Sequence, residues 1–196
     1  QDFSKAATKA ESSTVKYDPA KAKQLWTEGL KETGQTNPTL ELLTDDTTNA
    51  KRSAEYIQST LQQNLPGLKV TIATVPFKTR LSRSQNGQFD MVISAWSADF
   101  PDAITFLDLF TSDNSYNDGK WANSEYDALI KQSKTTDATN ATARWNTLLK
   151  AQELLTKEQG VVPLYQRVQT TLQRKTITGL KYNPTNSYDF VNAKVK

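Results

Sequence analysis

The chain has 196 residues, 36% of them hydrophobic and 23% charged, and its 24 Lys and Arg against 21 Asp and Glu leave a formal net charge of +3. That length is enough for a real core, no apolar run approaches the roughly 20 residues of a membrane span, and interspersed charges without a basic, aromatic-laced cluster argue against a nucleic-acid partner. Cysteine and histidine are both absent, which removes thiol nucleophiles, Cys/His zinc sites, disulfides and every Ser-His or Cys-His relay; no cofactor or metal is expected.

The chain opens on Gln1 rather than Met and shows no signal peptide, so a processed product or an excised piece of a longer protein is expected. Residues 1–16 hold few large apolar side chains and are expected to be a flexible lead-in. Asp18-Pro19 then starts a helix as N-cap and first helical residue, with Ala22, Leu25, Trp26, Gly29 and Leu30 on one face and Gly34 as its stop. Strands are predicted over 39–44 and 68–75 and helices over 48–64 and 77–85, leading into an apolar stretch from Phe89 to Trp96. This β-α-β-α-β order with short connections calls for a mostly parallel sheet flanked by helices. Met91, Val92, Ile93, Ala95 and Trp96 read as a strand buried on both faces. Arg80 and Arg83, one element earlier, read as solvated.

Further on, a short helix is expected over 103–110, a surface loop over 111–120, a helix capped by Asn123 or Ser124, and a longer one over 137–159 stopped by Gly160. Its inward face would carry Ala141, Trp145, Leu148, Leu149, Gln152 and Leu155. Residues 161–166 (VVPLYQ) read as a strand with 170–174 as its hairpin partner. The segment 176–196 scatters Tyr182, Tyr188 and Phe190 without a periodic pattern and reads as a tail that needs a partner surface.

The residues that invite chemistry follow the apolar stretch: Trp96, Ser97, Ala98 and Asp99, then Phe100-Pro101-Asp102. Ligands of open α/β sheets gather beyond the carboxyl ends of strands, so Asp99 is either a ligand partner or the cap of the next helix. The pairs Asp45-Asp46 and Asp99 with Asp102 could also serve acid/base hydrolysis. Glycine-rich phosphate loops are missing.

Several short signatures occur in order: YDPAKAK from Tyr17, GQFD from Gly87, WSADFPD from Trp96, FL at 106–107 with Phe110, NSEYDALI from Asn123, and VPLY from Val162. The series resembles the C-terminal third of the bacterial oligopeptide- and dipeptide-binding proteins, solute receptors that serve ABC importers. The resemblance implies that residues 17–175 form most of a periplasmic-binding-protein-like α/β lobe and that 176–196 return to an N-terminal lobe outside this chain. It implies an extracytoplasmic, non-catalytic receptor, lipid-anchored or periplasmic, whose partners are an oligopeptide and the importer's permease subunits. By the same resemblance Trp96, Ser97, Ala98, Asp99 and Tyr165 face the ligand, with Asp99 meeting the peptide's α-ammonium group. Other members take nickel complexes, haem, sugars or signalling peptides, and retention of Asp99 argues for peptide. Certain relatives carry an arginine where this chain has Ile93, which leaves the peptide's length open.

Overall fold

The computed structural model describes residues 2–11, 16–168, 170–183 and 187–196. They divide into two compact units, one of residues 15–95 with 118–120 and the other of residues 1–14, 96–117 and 121–196.

In the unit of residues 15–95 and 118–120, helix α2 (Pro19–Thr33) begins as its sequence dictates: the Asp18 side chain accepts from the Lys21 amide, Pro19 occupies the first turn, and Gly34 closes it at φ +67°. Trp26 packs on the core and its indole donates to the Pro66 carbonyl at 2.8 Å, whereas Leu25, expected inward, is exposed. Strand β1 (Thr39–Asp45) lies between β2 (Lys69–Val75) and β3 (Met91–Val92), all parallel, giving the order β2-β1-β3. Helix α3 (Thr48–Asn64), capped by Thr47, crosses between β1 and β2 and buries Ala54 against Leu42, Leu68 and Val70. Helix α4 (Phe77–Gln85) leads to β3.

Strand β3 is far shorter than the apolar stretch that suggested it. Only Met91 and Val92 pair with β1, with one further bond from the Ile93 amide to Leu43 O at 2.9 Å. As an edge strand it has no second strand beside it among the described residues, so Met91, Val92 and Ile93 are half-buried, and Ser94 and Ala95 are exposed. Arg83 pairs with Glu41 and donates to Gln88 O at 3.0 Å; neither it nor Arg80 is the freely solvated side chain expected.

In the other unit, helix α1 (Phe3–Glu11) replaces the expected flexible lead-in. Phe3 meets Trp145 edge-on at 5.3 Å and Ala7 is buried; that packing supplies what local composition does not. Helix α5 (Ile104–Leu107) runs into a 3-10 turn, Asp108–Phe110. Asn123 caps α6 (Ser124–Lys134), and Asn140, rather than a residue near 137, caps α7 (Ala141–Lys157). Ile104, Leu107, Tyr126, Ile130, Leu148, Ala151 and Leu155 make the core, while Ala141, expected inward, lies in the exposed first turn of α7.

After α7 the expected hairpin is not formed among the described residues: residues 162–168 and 170–174 are exposed and form no strand. Among the described residues both segments lack a sheet to pair with, and an isolated two-stranded hairpin is marginal in water. The tail carries two small antiparallel pairs instead, β4 (Ile177–Thr178) with β7 (Lys194–Val195) and β5 (Lys181–Asn183) with β6 (Ser187–Asp189). Among the described residues no helix is long and apolar enough to cross a membrane.

Candidate functional site

Trp96 is the first residue of the 96–117 segment of its unit, and its indole ring is half-buried against Tyr116, centroids 4.8 Å apart and planes at 65°. Its Nε1 is buried without a hydrogen-bond partner among the described residues. Ser97 and Asp99 are exposed and Ala98 is half-buried. The backbone there is nonetheless tied down: the Asp99 amide donates to the Oγ1 of buried Thr105 at 3.2 Å, and the Asp102 amide closes a turn onto Phe100 O at 2.8 Å. Among the described residues the Asp99 carboxylate forms no ion pair, and the residue is exposed on a tethered turn.

Asp102 is occupied. One carboxylate oxygen accepts from the Ile104 amide at the start of α5 (2.9 Å), and the two oxygens take a bidentate grip from Arg144 on α7 at 2.7 and 3.0 Å. The hydrogen bond from Arg144 holds the Asp102 carboxyl below the usual carboxylate range despite partial burial, and the same pairing raises Arg144. The two aspartates thus differ in their surroundings: Asp102 is bound into the scaffold and Asp99 is exposed. Among the described residues no cluster of acidic side chains could hold a metal ion.

Tyr165 lies on the irregular stretch after α7, 59% exposed. Sequence reasoning passed over Tyr116, the ring that braces Trp96, and Arg144, the partner of Asp102. An aromatic side chain inside the polar loop 111–120 was the available signal for the first; a partner 42 residues away leaves no local sign. Phe100 and Phe106 are also exposed close in sequence to Asp99, adding apolar surface that a solute could cover.

The model of the bacterial extracellular solute-binding proteins, family 5 middle region, matches residues 1–118. The chain belongs to that family. It is similar to a dipeptide-binding protein of Lactococcus lactis subsp. cremoris, 42% identical over 183 residues, which cover 92% of this chain and 33% of that protein. Among solved structures, Listeria monocytogenes OppA bound to peptide superposes with a TM-score of 0.80 at 39% identity, over 91% of this chain and 34% of that one. The substrate-binding domain of an oligopeptide ABC transporter from Bacillus anthracis str. Ames gives 0.86 at 34% identity, over 96% and 37%. The chain thus spans about a third of the length of these relatives.

Proposed function

We propose that this chain is the ligand-contacting lobe of an extracytoplasmic receptor that captures oligopeptides for an ABC importer and catalyses no reaction. The observation that carries the reading is the division of labour between the two aspartates. Asp99 is exposed on a tethered turn beside Trp96, while Asp102 is spent on the α5 start and Arg144. A carboxylate pair for hydrolysis needs both groups turned to one substrate; a receptor for peptide amino termini needs one. An α-ammonium group pairs with Asp99, and neighbouring backbone groups continue the peptide as an added strand. The permease subunits and an N-terminal lobe outside this chain complete the partners, with the tail 176–196 returning to that lobe. The surface-lipoprotein or periplasmic location follows from the same reading.

The test uses one peptide in free-amine and N-acetylated forms, titrated calorimetrically into the receptor that carries this chain. Asp99→Asn should weaken the free-amine peptide strongly, since capture encloses the pair and an enclosed ion left unpaired costs on the order of 3–5 kcal/mol, and should spare the acetylated form. Equal loss for both would sink the ammonium role. The chain by itself should give no micromolar binding of mixed tetra- to octapeptides, because a ligand gains affinity from enclosure on most of its surface.

A further inference from the structure

Arg80 is 3% exposed, although it belongs to a polar helix. Its guanidinium lies over the Phe77 ring, 5.1 Å from the centroid. The Nε–H donates to Asp45 Oδ1 at 3.0 Å and Nη1 donates to Ser94 Oγ at 3.3 Å. Asp45 is the last residue of β1, and Ser94 follows the last ladder contact of β3. One buried cation therefore joins α4 to the ends of two parallel strands. A buried charge is costly unless paired and hydrogen-bonded, so the arrangement is a committed one.

The position of these groups along the chain gives Arg80 a second meaning. The chain leaves this unit after Ala95 and rejoins it only for Asp118–Lys120. Ser94 stands one residue inside the first crossing, and Asp118 is the first residue of the second. Arg80's positive charge acts on the Asp118 carboxylate, countering the upward push that burial gives its pKa. Trp96, Asp99 and Tyr116 all lie on the segment between the two crossings.

We propose that Arg80 is a positioning residue for the stretch leading into Trp96 and Asp99, which it fixes through Ser94. The assignment of that segment to a ligand rests on the function proposed above; the positioning itself does not. Two donors aimed in different directions from one rigid plane are a property of arginine that a lysine ammonium does not reproduce.

The chain holds four tryptophans, Trp26, Trp96, Trp121 and Trp145, whose indole N–H signals in a proton–nitrogen correlation spectrum test the idea without any ligand. Ser94→Ala removes one contact and leaves the buried ion pair with Asp45 in place. It should shift or broaden the Trp96 signal while Trp26, bonded to Pro66 O, and Trp145, packed on Phe3, stay fixed. Arg80→Met should shift Trp96 further, and Arg80→Lys should not restore it. An unmoved Trp96 signal in Ser94→Ala overturns the proposal, as does wild-type Trp96 in Arg80→Lys or a common shift of Trp26, Trp96 and Trp145. Should Arg80→Met fail to fold, Ser94→Ala and Arg80→Lys decide it. In the receptor carrying this chain, Ser94→Ala should weaken peptide binding about fivefold, equivalent to ~1 kcal/mol. A shifted Trp96 with unchanged peptide affinity would leave the positioning role standing and count against the ligand role of the segment.

Discussion

Removing the Asp102 carboxylate severs three hydrogen bonds at once, because Asp102→Ala takes away the acceptor of the Ile104 amide and both oxygens held by Arg144. Losing an acceptor at a helix start costs typically ~1 kcal/mol. The ion pair, with side chains 31% and 25% exposed, is screened less than a surface pair and adds about 1 kcal/mol, with a further contribution from the guanidinium left without its counter-ion. A total of about 2–3 kcal/mol corresponds to a drop in Tm of about 4–12 °C for a chain of this size. Asp102→Asn, which keeps an oxygen for Ile104, should cost about half as much. The pH dependence has a definite sign. The carboxyl's pKa is lowered in the folded state, so its stabilisation is fully present above the unfolded value of about 3.9 and is lost as pH falls through the lower folded value. The gap between wild type and Asp102→Asn should therefore be constant near neutrality and close below about pH 4. Urea unfolding of wild type, Asp102→Asn, Arg144→Met and the double variant measures the coupling. Additive single costs, or a gap that persists unchanged at acid pH, would refute the pairing as a stabilising element.

Two further substitutions probe the same unit. Tyr126 is fully buried with its hydroxyl donating to Leu107 O, and burial raises its pKa, so Tyr126→Phe should destabilise by about 1–2 kcal/mol by stranding that carbonyl, measured by urea unfolding. Gly179 sits at φ +74°, where an added Cβ would come within 1.9 Å of Asn192 O. Gly179→Ala should therefore open the β4–β7 pair, making residues 176–196 the first site of limited proteolysis while the α6–α7 core melts unchanged.

The caps were legible because their chemistry is local: Asp18, Pro19, Gly34 and Asn123 act on neighbours within a few residues. The β-α-β-α-β order was equally readable, since alternating periods and short connections leave few topologies. What escaped the sequence depends on partners far along the chain. Phe3 is unremarkable until Trp145 stands against it, and Arg80 resembles any helix-surface arginine until Asp45 and Ser94 meet it. The apolar runs at 89–96 and 161–166 were over-read for a related reason. Hydrophobic pattern states what a segment can pair with, and pairing requires a neighbouring strand; β1 supplies one only as far as Ile93, and the described residues after α7 supply none. In the site, Trp96, Ser97, Ala98 and Asp99 stood out as a compositional break, while the bracing by Tyr116 and Thr105 did not.

The edge-on contact between Phe3 and Trp145 bears on where this chain can be cut. Composition alone invites trimming everything before Asp18, the first clean helix start. Such trimming would strip a packed helix from α7 and lay bare the indole of Trp145, turning a covered seam into a sticky one that favours association between copies. Experiments on this unit therefore need helix α1, Phe3–Glu11, which packs on α7.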